Sequence, residues 1–243
     1  MAHGGPDYDV TAGVRTTYRW ADLDELAARL GSPVVFDRRG DVILIDSFED
    51  GWGRWTPNIA GAGGSIQLSR ARSRSGAYSL RLVAPPVVMG LARVYTYLDY
   101  PVLGAFGLES SWVPGLTMES LYMRLYVETT TVTYQIGVRF TPGSGNIDLW
   151  IPPGVWTTVY HQAAGGWGVP VFRTWKVVAN PVSGHYVRLL YGSIVIDASP
   201  YAIAVAGGLP LPTAEIDIGF YCNSPTPCNS YLDDVILTQN EPT

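Results

Sequence analysis

The residues best suited to chemistry in this 243-residue chain are two acids in the run Glu215-Ile-Asp-Ile-Gly-Phe220. Strand side chains repeat every two residues, so Glu215 and Asp217 share a face. A retaining glycosidase needs a second such carboxyl to protonate the leaving oxygen. An acid pair on a strand facing water accounts for the same spacing with no reaction at all. The chain carries no Gly-x-Ser-x-Gly elbow, no His-Glu-x-x-His and no phosphate loop. Three histidines, His3, His161 and His185, offer few general bases. We therefore expect a chain that is not an enzyme.

Aromatic residues suggest a different activity. Trp52, Trp55, Trp112, Trp150, Trp156 and Trp167 fall in or beside expected loops. Sugar rings stack their C–H faces on such side chains while nearby polar groups take the hydroxyls. Large aromatics also fill cores and protein interfaces, so each tryptophan has two readings. The run Arg70-Ala-Arg-Ser-Arg74 alternates and, on a strand, would align three guanidinium groups toward an anion or a solvated face. Arg39-Gly40-Asp41 spells an adhesion tripeptide, but a glycine in a hairpin turn explains it.

Cys222 and Cys228 flank Asn-Ser-Pro-Thr-Pro between two apolar alternating segments. Thiols at the ends of one hairpin loop can bridge locally, and closing so short a loop contributes about 2 kcal/mol. The spacing is too long for a zinc knuckle and no second pair accompanies it. A disulfide is expected, and with it an extracellular or virion setting.

Composition points to β structure. Glycine (27), proline (18), tyrosine (15) and tryptophan (8) are plentiful, whereas charged residues make up 15% against roughly 25% in typical domains. So few charges imply that much of the surface is covered. The net charge of -5 leaves no footprint for nucleic acid, and no apolar run is long enough to span a membrane. Lys176 is the only lysine; the arginine bias fits a GC-rich genome first and thermostability second.

Residues 1 to about 19 lack periodicity and read as an arm. From Trp20 to Gly31, Leu23, Leu26, Ala27 and Leu30 recur at helical spacing, with acids in the first turn and a glycine cap. Pro33–Asp37 and Asp41–Ile45 read as a hairpin. Short runs rich in valine, isoleucine, tyrosine and threonine then follow to Thr238, separated by turn residues. Residues 101–117 and 199–212 read as long loops, a class that is often functional or interface-forming.

Two motifs frame this region, Asp46-Ser-Phe-Glu-Asp-Gly51 and Tyr231-Leu-Asp-Asp-Val-Ile-Leu-Thr238, with Trp175 to Tyr191 between them. Together they resemble the first, middle and last strands of concanavalin A-like lectin domains and jelly-roll carbohydrate-binding modules. The resemblance implies an all-β jelly-roll sandwich over 46–238, preceded by an arm, helix and hairpin in 1–45 and followed by a tail of 239–243. It also implies a structural calcium ion held by Glu49 with Asp233 or Asp234, and Asp50 in reserve. Such an ion needs six to eight oxygens. Capping of turns by the same acids is the alternative.

The acid run also resembles the Glu-x-Asp-x-x-Glu strand of laminarinase-type glucanases. In that alignment Phe220 stands where the second glutamate would be, which supports the non-enzymatic reading.

A sandwich starting at Met1 with no basic and apolar secretory leader suggests a virion protein of a phage, released by lysis. The expected function is binding and assembly, as a capsid-decoration or tail protein with a lectin-like jelly roll. Its expected partners are copies of itself, other virion proteins and surface glycan; Trp52, Trp55, Trp112, Trp150 and Trp167 are the candidate glycan contacts. Alternatives are a carbohydrate-binding module of a secreted system, or a glycosidase or polysaccharide lyase.

Overall fold

In this computed structural model the residues described are 40–99, 102–115, 117–162, 171–208 and 213–243. The arm, the helical stretch from Trp20 to Gly31, Arg39 and Trp167 lie outside them. Within them the chain is all-β, with no helix and two antiparallel sheets. The expected jelly-roll sandwich is the architecture found.

The first sheet runs in the order β13 (Ile194–Asp197), β12 (His185–Tyr191), β11 (Arg173–Asn180), β6 (Phe106–Val113), β16 (Cys228–Gln239), β4 (Ser79–Ala84) and β3 (Ser65–Ser69). In addition, β1 (Asp41–Asp46) pairs with β16, Asp46 opposite Val235. The boundary expected at residue 45 therefore falls inside a strand of the sandwich.

The second sheet is ordered β10 (Val155–His161), β9 (Asn146–Ile151), β8 (Val132–Thr141), β7 (Met118–Glu128), β15 (Thr213–Cys222), β5 (Gly90–Asp99) and β2 (Thr56–Ala60). A further strand, β14 (Ala204–Gly207), pairs with β8.

Alternation decides which face of each strand is buried. On β7, Leu121, Met123, Leu125 and Val127 enter the core; on β15, Ala214, Ile216, Ile218 and Phe220 do the same. Opposite them lie Leu80, Leu82, Leu108, Trp112, Trp175, Val177 and Leu237 of the first sheet. Burying side chains of this size is worth about 1.5–3 kcal/mol each.

Both expected long loops contain strands. β6 escaped notice because it is buried on both faces and its sequence, with Gly107, Glu109, Ser110 and Ser111, lacks apolar alternation. Its polar groups are satisfied inside the protein: Ser111 bonds Thr174 at 2.8 Å, and Ser110 accepts the Trp112 indole N–H at 2.7 Å. The arginine run is not a strand. Residues 70–78 form the connection from β3 to β4, and its guanidiniums diverge. Arg70 stacks on Tyr78, Arg72 on Tyr231, and Arg74 pairs with Asp234.

Cys222 and Cys228 are joined by a disulfide across the turn from β15 to β16.

Candidate functional site

The face of the second sheet turned away from the core carries an unusual set of side chains. On β7 the outward positions are Tyr122, Arg124 and Tyr126; on β5 they are Arg93, Tyr95 and Tyr97. Between these strands, β15 places Glu215 opposite Tyr97 and Tyr126, and Asp217 opposite Tyr95 and Arg124. Beyond β7, β8 contributes Gln135, Gly137 and Arg139, β9 adds Asp148 and Trp150, and β10 adds Trp156 and Thr158.

Contacts fix these groups. Arg93 meets Asp217 at 2.9 Å. Arg139 donates from Nε (2.9 Å) and Nη2 (2.7 Å) to one oxygen of Asp148, whose other oxygen accepts from Thr158 at 2.7 Å. The Trp150 indole N–H donates to Gln135 at 2.8 Å. Trp150 and Trp156 meet edge to face at 4.9 Å, and Arg124 lies 5.3 Å from each ring and 4.7 Å from Tyr122. Arg139 caps Trp156 at 4.9 Å. Side chains locked in this way lose little freedom when a ligand arrives.

From the core side, the buried Tyr186 of β12 reaches through to the same strands. Its hydroxyl accepts from the Gly137 N–H at 3.0 Å and lies 2.7 Å from the Trp150 carbonyl. The base of the tryptophan pair is thus tied to the opposite sheet.

Burial pushes the Glu215 carboxyl above the usual range, and neighbouring Asp217 adds to the effect. Burial also raises Asp217, with Arg93 and Arg124 opposing without cancelling it. The two acids share a face, as the strand period requires.

Phe220, however, is not the third member of that face. Register along β15 shifts only at Tyr221/Cys222, so Phe220 points into the core and is wholly buried. Gly219 occupies the outward position, and a Cβ there would sit 2.4 Å from that of Arg93. The strand therefore holds no second glutamate on this face, for a different reason than the alignment implied.

The tryptophans divide. Trp55 (3% exposed) and Trp112 (1% exposed) are core residues and are corrected from the glycan set, since neither presents a ring face to solvent. Half-buried Trp52 packs against the core. Trp150 belongs to the open face and is joined there by Trp156.

Glu49, Asp233 and Asp234 are brought to one region but turned to one task. Glu49 accepts the N–H groups of Ala77 (2.8 Å) and Tyr78 (2.7 Å). Asp233 accepts those of Arg74 (2.7 Å) and Asp234 (2.8 Å), and Asp234 pairs with the Arg74 guanidinium at 2.9 Å. Asp50 is exposed. No cluster of three or more acids, histidines or cysteines among the described residues is arranged to hold a metal.

Sequence reasoning missed Arg93, Arg124, Arg139, Tyr122 and Tyr126. The signal was present: Arg-x-Tyr-x-Tyr on β5 and Tyr-x-Arg-x-Tyr on β7 give each strand an outer row as regular as its apolar inner one.

No family model matches the chain, and no curated protein does. Solved structures match over most of its length. An endo-β-1,4-glucuronan lyase from the fungus Trichoderma reesei is similar with a TM-score of 0.53 and 9% identity, over 82% of this chain and 96% of that one. The shared fold is an antiparallel jelly-roll sandwich. A carbohydrate esterase of the Shiga toxin-encoding bacteriophage phi24B gives 0.51 and 9%, over 83% and 100%. Peanut lectin gives 0.48 and 8%, over 80% and 96%. At these identities the likeness is one of fold alone.

Proposed function

We propose that this chain is a glycan-binding protein whose open second-sheet face holds a polysaccharide. The observation that carries the reading is the adjacency of stacked aromatics and oriented hydrogen-bonding groups on neighbouring strands, with Trp150 and Trp156 beside the Arg139–Asp148–Thr158 chain. Indole faces take the apolar side of a pyranose, while Gln135, Glu215 and the hydroxyls of Tyr97 and Tyr126 take its edge. Binding without turnover fits the absence of a second glutamate at Gly219.

Affinity electrophoresis against a panel of neutral and acidic polysaccharides tests the reading. Retardation by at least one polymer is expected. Trp156→Ala should weaken it about tenfold or more, as loss of a central aromatic anchor does, whereas Trp52→Ala should leave it unchanged. Failure to bind any polymer, or binding indifferent to Trp156, would remove the proposal. Release of reducing ends or unsaturated sugars would replace the binding reading with an enzymatic one.

A further inference from the structure

Three guanidinium groups stand on the open face, and they are not equivalent. Arg93 has Asp217 and Arg139 has Asp148, each within 3 Å in a direct ion pair. Between them on the sheet, Arg124 has no carboxylate within ion-pair distance among the described residues. Asp217 acts on it only from further away. Its Nη1 donates to the Tyr126 hydroxyl at 3.2 Å, and its buried Nε has no hydrogen-bond partner.

What surrounds Arg124 instead is π-electron density. Tyr122, Trp150 and Trp156 attract a cation by their ring quadrupoles but do not neutralise it. The position opposite on β8 is Gly137, where a Cβ would come 3.2 Å from Trp150 and 3.4 Å from the Arg124 stem. A side chain there would press Trp150, Trp156 and Arg124 apart by a few tenths of an ångström. The Arg124 charge is held in place, half-buried, with Asp217 acting on it from the next strand but no carboxylate in contact with it. The guanidinium therefore keeps its donors available to an anion arriving from outside.

We infer that the ligand of this face is an acidic polysaccharide, whose carboxylate or sulfate meets Arg124 while its rings stack on Trp150 and Trp156. The inference rests on the glycan-binding reading above and narrows its substrate class. A guanidinium is planar and presents paired donors, which match the oxygens of a carboxylate or sulfate. A neutral sugar would place only hydroxyl dipoles there and leave the cation uncompensated.

The test compares three probes by affinity electrophoresis and calorimetry: polyglucuronate, the same polymer after reduction of its carboxyls, and a sulfated glucan. One of the acidic polymers should bind about tenfold or more tightly than the reduced one, with the advantage shrinking as salt rises. Preference between the two acidic polymers tells carboxylate from sulfate. Arg124→Gln should erase the advantage while keeping the weaker affinity for the reduced polymer, and Arg124→Lys should restore part of it. Equal binding of the acidic and reduced polymers by the folded wild-type chain overturns the inference and leaves the glycan reading standing. Binding of none of the three, nor of any polymer in the wider panel, overturns both. Should Arg124→Gln fail to fold, the polymer comparison alone decides.

Discussion

The Tyr186 hydroxyl, carried on β12 of the first sheet, lies against both backbone polar groups of Gly137 on β8 of the second, 3.0 Å from its nitrogen and 3.3 Å from its oxygen. Sheets packed face to face ordinarily meet through apolar side chains. Here a polar bond crosses the core and ends directly beneath the tryptophan pair.

Tyr186→Phe removes that bond without changing the shape of the ring. The Gly137 N–H and Trp150 carbonyl would then be left in an apolar interior, at a cost of about 1–3 kcal/mol. Thermal unfolding should show this as a loss of about 2–4 °C per kcal/mol in a domain of this size. An unchanged melting curve would mean that water or a neighbouring group takes over the bond.

The sandwich was legible in the sequence wherever one face of a strand is buried and the other is not. Leu121, Met123, Leu125 and Val127 announce β7 by alternation alone. β6 was hidden by the opposite situation, since burial on both faces lets serines and Glu109 stand where an apolar row is expected. The arginine run misled because the partners that fix it, Asp233 and Asp234, lie about 160 residues away. The open face was half legible: the outer rows of β5 and β7 could be read from spacing. That Arg93 and Arg139 find carboxylates and Arg124 does not depends on strand order, which no local pattern contains.

The loop from β3 to β4 offers a second test. Glu49 and Asp233 hold it through backbone N–H groups, and Asp234 through the Arg74 guanidinium, so each acid already has a partner within the protein. Chelation should therefore leave the melting temperature of the wild-type chain unchanged. Arg74→Gln, which strands Asp234 beside Asp233, should cost about 3 kcal/mol or more. A drop in melting temperature on chelation, reversed by added calcium, would show instead that the ion expected from the sequence is bound.

The last prediction concerns pH. Glu109 lies across from Lys176 on the buried β6–β11 pairing, and the Lys176 ammonium is itself held by Glu241 at 2.5 Å. Burial pushes the Glu109 carboxyl up to about 7, with Lys176 and Arg74 opposing. Burial and the adjacent Asp234 push Asp233 to about 7 as well. Between the ordinary carboxylate range and about pH 7, the folded chain therefore holds protons that the unfolded chain has released. Stability is greatest below that window, falls as pH rises through it, and levels off above about 7. For Glu109 the change is on the order of 3 kcal/mol at most. Glu109→Gln keeps the neutral form at every pH, so its advantage over wild type should be absent at the acid end of the window and full at the other. Melting curves of the two proteins that run parallel across the window would show that Glu109 titrates no differently in the folded chain than in the unfolded one.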